Sequence, residues 1–492
     1  MSRVRPRQRA AFALPAAFLA LLLIAPATAN AGQFLRRDDN GVRYMRYRVP
    51  LDIKPGQNDI IFDLTKQRPS VDGYITYFKP ELRWVKNKKV PPVDVIHLHH
   101  AVWIINNNPT FAAGEEKTII RTPKGFGWSY KTTDRWILNH MIHNLTPNLD
   151  RVWVEWTIGF IPKNSPAAKG MRTVDTQWMD VVGGAYPVFD VMKGSGGKDQ
   201  RFVYPNDQPS AYVGRRGRRR TPGQWTVNRD ATLVATAGHL HPGGLWTDMY
   251  LTRNGVKKHI FRSRAKYWEP AGPVSWDVAM TATKPNWRVK VKQGDILSIN
   301  ATYGTRSNSW YESMGIMPVE ITDKPAGGKD PFAGDEIDTE GRVTHGQLPE
   351  NDNHGGGASG LPDARKLKDG PRVGQVPIAE FIYQQGDLSL TGRKGLPPVV
   401  SPGQALKFIN QDAPARIYHT VTSCRAPCNG LTGVAYPLAG GPAIFDSAEL
   451  GLGGAPTANR VERDTPTNLP QGTYNYFCRI HPFMRGAFRV ES

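Results

Sequence analysis

Between Trp287 and Lys292, apolar Trp287, Val289 and Val291 alternate with basic Arg288, Lys290 and Lys292, a period of two that predicts a strand with one buried face. The run Val152-Trp153-Val154-Glu155-Trp156-Thr157-Ile158 is β-branched and aromatic and reads as a second strand. Asn254-Gly255 separates Trp246 to Thr252 from Val256 to Phe261, which predicts a hairpin closed by a type I′ turn. Beyond residue 31 no long 3.6-residue apolar period occurs. With 49 Gly and 40 Pro punctuating short strands, the pattern predicts an all-β chain of sandwiches rather than α/β.

Residues 1–31 read as a secretory signal: Arg3, Arg5, Arg7 and Arg9, then an apolar run from Ala16 to Ile24, then Ala29-Asn30-Ala31 as a cleavage site. The apolar run is too short to span a bilayer and no later stretch is longer, so no transmembrane segment is expected in the mature chain. The expected location is secreted or periplasmic. At about 150 residues per domain, the remainder suggests roughly three domains. From about Thr322 to Gly374, Gly, Pro, Asp and Asn crowd together and aromatics nearly vanish, as in a linker. The expected division is therefore a signal at 1–31, jelly-roll-like β-sandwiches at 32–185 and 186–322, a Gly/Pro-rich linker at 323–375 and a further β-sandwich at 376–492.

The formal charge of +20 falls to +16 once the four signal arginines are removed. An exported chain this basic suits an anionic cell-surface polymer. Arg215-Arg216-Gly217-Arg218-Arg219-Arg220 has no interleaved aromatics and reads as a solvated loop, so nucleic acid is not an expected partner. Three cysteines do not make a disulfide scaffold. Cys424 and Cys428 are close enough in sequence to pair, leaving Cys478 as an odd thiol.

Cys478 has company. Tyr474 to Gly486 places Cys478, His481 and Met484 on one short loop after a strand, and His419 is the only other histidine in the domain. Thiolate, two imidazoles and a thioether suit copper in a trigonal His₂Cys electron-transfer site with a long axial Met. Cys478-Arg479-Ile480-His481-Pro482-Phe483-Met484-Arg485-Gly486 resembles the ligand loop of amicyanin-type, plastocyanin-like cupredoxins. The resemblance spans about 376–492 and implies a Greek-key cupredoxin sandwich with one type I copper on His419, Cys478, His481 and Met484. Phe477 and Arg479 flank the cysteine where a multicopper oxidase needs histidines.

The N-terminal region carries His97-Leu98-His99-His100, then His140 and His143, then His239-Leu240-His241, then Met314 and Met317. Imidazoles from the first segments can hold copper or zinc, and a His-x-His pair with a thioether favours Cu(I). In order these elements resemble the ascorbate-dependent type II copper monooxygenases, the group of peptidylglycine α-hydroxylating monooxygenase and dopamine β-monooxygenase. That resemblance implies an electron-delivering copper on His99, His100 and His143, and an oxygen-activating, catalytic copper on His239, His241 and Met314. His140 reads as structural, His97 as an extra or supporting ligand, and Met317 competes with Met314. No cysteine occurs in 32–423, whereas the family's core is laced with disulfides.

The expected protein is an exported copper oxidoreductase with one type I and two type II-like coppers, using O₂, an external electron donor and a small-molecule or peptide substrate whose identity is not readable. The alternative is a non-enzymatic blue-copper electron-transfer or copper-handling protein.

Overall fold

A computed structural model describes residues 32–183, 186–207, 223–268, 276–306, 308–348, 360–425, 443–453 and 458–492. The expected signal, the arginine-rich loop and the Cys424/Cys428 pairing lie outside the described residues. Among those described there is no α-helix, only strands and four short 3₁₀ turns. None is an apolar helix long enough to cross a membrane. The chain is all-β, in three sandwiches.

The predicted strands form where the pattern placed them. Asp150–Pro162 buries Val152, Val154, Trp156 and Ile158 at the centre of the first core. Val289–Val291 turns both valines inward and Lys290 out. Gly244–Arg253 pairs antiparallel with Val256–Tyr267 across Asn254 and Gly255, whose φ angles of 52° and 79° are those of a type I′ turn.

One relationship lies beyond the reach of local pattern. The two N-terminal sandwiches share a continuous ten-stranded sheet, because Arg172–Gln177 pairs parallel with Phe126–Tyr130 of the first and antiparallel with Val319–Thr322 of the second. At this seam Trp128 Nε1 and Thr176 Oγ1 donate to buried Glu320 at 2.6 and 2.9 Å. The core of the second sandwich already includes Met179, Val181 and Val182, before the expected boundary at 186. A four-stranded sheet covers the first half of the shared sheet and a seven-stranded one the second.

The described residues of the segment expected as a linker are mostly exposed but anchored at several points to the sandwiches on either side. Asp330 accepts from Arg253 at 2.9 and 3.0 Å, Phe332 and Ile337 pack on the second core, and Arg342–Val343 adds a strand to its sheet. Leu348 joins Val93, Leu145 and Trp276 in a small buried cluster. Further along, Ala364, Leu361 and Leu367 pack on Leu388 and Ala487 of the third sandwich. Composition alone reads such a stretch as flexible, because its partners lie far away in sequence.

The third sandwich faces Gln375–Ala379 and Lys407–Asn410 on one sheet with Gly472–Phe477 and Arg485–Val490 on the other. Its loop after Phe477 rests against the N-terminal pair. Arg479, 2% exposed, is the main bolt. It donates from Nη2 to the Ser309 carbonyl at 2.7 Å, pairs through Nη1 with Asp446 at 2.8 Å, and stacks over Tyr311 at 5.0 Å. Arg416 and Asp59 form a second ion pair across the boundary at 3.3 Å.

Candidate metal centres

The strand Gly472–Phe477 delivers Cys478 at its end, and the next residues fold back through Met484 N–H to the His481 carbonyl at 2.9 Å and Cys478 N–H to the Met484 carbonyl at 3.2 Å. This tight loop brings Cys478 Sγ to 3.7 Å from His481 Nδ1 and 3.9 Å from His419 Nδ1, with the two Nδ1 atoms 3.2 Å apart. These three residues are fully buried, and among the described residues they are the one His/Cys/carboxylate group whose donor atoms all lie within 4.8 Å of each other. Asp412 accepts from His419 Nε2 at 2.9 Å, which fixes the ring with Nδ1 inward.

The sulfur accepts the N–H groups of Thr420 at 3.3 Å and His481 at 3.4 Å. Burial pushes the Cys478 thiol up, but His419 and these N–H groups outweigh it, so its pKa falls below the ordinary thiol value. Met484 is buried in the same cluster as Cys478. A thiolate, two inward Nδ1 atoms and a neighbouring thioether fit copper by donor softness. On the far side of the His481 ring, Nε2 is buried without a hydrogen-bond partner.

The N-terminal histidines sit on facing strands of the first sandwich and at the inner edge of the second. Ile96–Ile105 pairs with Trp136–Asn144, and His97 stands opposite His143. His97 Nδ1 contacts the Val93 carbonyl at 3.0 Å and His99 Nδ1 contacts Asn58 Oδ1 at 2.9 Å; the Nε2 of each is buried without a partner. His239 repeats the arrangement, with Nδ1 3.0 Å from Glu116 Oε2 and a partnerless Nε2. Holding one ring nitrogen while freeing the other is how proteins present imidazole to a metal. Burial holds His100 and His143 down at about 3, so both are neutral, the form that ligates.

Ring centroids are 4.7 Å apart for His99 and His241, 5.1 Å for His239 and His241, and 6.3 Å for His99 and His143. Trp276 lies at 4.6 to 4.9 Å from His97, His99 and His241. His99, His143 and His241 line one pocket with Trp276 and Arg479, whereas His100, His239 and Met314 line another. His99 thus shares a pocket with His143, while His100, whose ring is 5.6 Å from that of His99, lines the other. It likewise joins His239 to Met314 and places His241 in the other pocket, beyond the end of the short strand His239–Leu240. Met317 packs in the second core. His140 Nε2 pairs with Asp63 at 2.9 Å outside both pockets.

Three contributors were not legible as such. Glu116 belongs to Glu115-Glu116-Lys117, a charge run that reads as surface but is 1 to 4% exposed. Trp276 had no distinguishing neighbour. Arg479 lay beside Cys478, where its one visible meaning was that it is not histidine.

No protein-family model and no curated protein matches the chain. Among solved structures it is similar to an oxidised amicyanin variant at 23% identity, over 26% of this chain and 90% of that one, with a TM-score of 0.16. It is similar to a reduced amicyanin variant at 26% identity, over 27% and 91%, with a TM-score of 0.13. A Cu-containing nitrite reductase from Thermus scotoductus SA-01 is similar at 13% identity, over 54% and 59%, with a TM-score of 0.16. With scores this low, the copper assignment rests on the donor atoms at Cys478.

Proposed function

We propose that the chain is an exported copper oxidoreductase in which a type I copper domain passes single electrons to an O₂-dependent monooxygenase module formed by the two N-terminal sandwiches. One contact carries the reading: the ring of His481, a donor of the Cys478 site, lies 6.2 Å from the ring of His143. Bound copper would supply one-electron redox chemistry at Cys478 and activation of O₂ beside the histidine pockets. Overall, one oxygen atom enters a substrate C–H bond and the other leaves as water. This takes two electrons and two protons from outside, delivered singly by an external donor.

The side chains do the rest. Phe78, Phe111, Trp178 and Ile316 wall the pocket of His100, His239 and Met314, which suits an apolar, uncharged substrate. Buried Glu116 holds His239 with Nε2 free. Arg479 locks the Cys478 loop to the segment leading to Met314. The monooxygenase part rests on the order of histidines and Met314 and on this pocket; export rests on residues 1–31. The basic charge supports docking to an anionic surface polymer.

The test is copper content and EPR of the copper-loaded chain, then exposure of the reduced protein to O₂. About three ions, one with a type I spectrum, and rapid reoxidation that Met314→Ile abolishes support the reading. A single blue ion, with no O₂ reaction, leaves an electron carrier only.

A further inference from the structure

The strand Ile96–Ile105 changes register against Trp136–Asn144 between Leu98 and His100. A bulge re-aims the side chains that follow it. His99 is the extra residue at this shift, and the neighbours His99 and His100, whose ring centroids are 5.6 Å apart, line different pockets. The second pair behaves alike: His239 lies within a two-residue strand, while His241 follows it and turns toward His99, 4.7 Å away between ring centroids.

We infer that the N-terminal donors divide across the two sandwiches, with one copper site made of His99, His143 and His241 and another of His100, His239 and Met314. The inference rests on the oxidoreductase reading for the choice of copper and goes beyond it in the ligand sets. Each site draws from both sandwiches, so each bound ion also ties them together. The first set is three imidazoles, with the Nε2 atoms of His99 and His241 buried and partnerless. The second joins Met314 to His239, whose Nδ1 is occupied by Glu116, and to His100, whose Nδ1 has no partner. Met314 is 2% exposed yet belongs to neither sandwich core, unlike Met317. A thioether in the second set makes it the softer site, favouring Cu(I).

The three imidazoles of the first set do not have all donor atoms within 4.8 Å, as the Cys478 site does, so His143, whose ring is 6.3 Å from that of His99, must rotate onto the ion. Its ring also lies 5.0 Å from that of His97 and 6.2 Å from that of His481. This places the three-imidazole site at the junction with the type I domain and the thioether site deeper, in the apolar pocket.

Counting copper in paired substitutions of the full chain separates this division from grouping by sequence neighbours. Blue absorbance and near-ultraviolet circular dichroism serve as checks on folding. If the division holds, His143→Gln with His241→Gln loses one N-terminal ion and keeps the other, because both changes fall on one site. His100→Gln with His143→Gln loses both. The reverse pattern, with both ions lost in the first pair and one kept in the second, overturns it, as does an unsubstituted chain that binds only the blue copper. Two seated ions that follow the division but never react with O₂ would refute the monooxygenase reading alone.

Discussion

Arg479 Nη2 donates to the Ser309 carbonyl oxygen at 2.7 Å, joining the loop of the Cys478 site to a segment of the second sandwich five residues before Met314. The same guanidinium pairs with Asp446 at 2.8 Å. The third sandwich is therefore seated on the others by the residue next to its thiolate.

Replacing Arg479 with Gln should keep the blue colour, since its side chain is not a donor to the ion. Removing one partner of a buried, hydrogen-bonded charge pair costs about 2–5 kcal/mol, so stability should fall by that order. Electron transfer within the chain should slow at least tenfold as the seat loosens. Chemical denaturation and stopped-flow absorbance check the two effects; an unchanged transfer rate means the bolt does not set the approach of His481 to His143.

Cys478→Ser should abolish the colour while N-terminal copper stays bound, because the charge-transfer band belongs to the copper–thiolate bond. Visible absorbance and metal analysis decide it. A blue Cys478→Ser protein would place the thiolate elsewhere.

As an axial ligand, Met484 would make a long, weak bond that tunes potential more than it supports the fold. Met484→Gln should stay blue and become harder to reduce. Cyclic voltammetry showing the same potential would mean that Met484 does not face the ion.

Glu320, at the seam of the two N-terminal sandwiches and in the wall of the His100/His239/Met314 pocket, gives a pH dependence of stability. Burial pushes its carboxyl up to about 8, against the pull of Thr176 and Trp128, so the folded chain keeps a proton that the unfolded chain releases near 4.5. Its contribution to stability is fully present below about 4.5 and is lost as pH rises toward 8. Glu320→Gln keeps a neutral group and should lose that slope. The melting-temperature difference, variant minus parent, should grow between pH 5 and pH 8. A constant difference would mean Glu320 is ionised throughout.

The His419, Cys478 and His481 cluster was legible because Cys478 and His481 share one short loop and His419 was the remaining histidine of its domain. The strands were legible where one face is buried, as in Val289–Val291. The division of the other histidines was not, since the family resemblance grouped them by their order along the chain, whereas His99 and His100 line different pockets and His241 turns toward His99 from the other sandwich. The shared sheet was hidden for a related reason: parallel pairing of Phe126–Tyr130 with Arg172–Gln177 joins segments far apart in sequence. Residues 323–348 read as linker because Asp330 shows its role only beside Arg253.

The most direct test is to reduce the blue copper of the fully loaded protein with a fast pulse of a one-electron reductant and follow its recovery. The blue band should return in a first-order process independent of protein concentration, while an N-terminal Cu(II) EPR signal disappears at the same rate. Recovery whose rate rises with protein concentration, or a blue band that stays bleached while the N-terminal signal persists, would contradict transfer from His481 to His143.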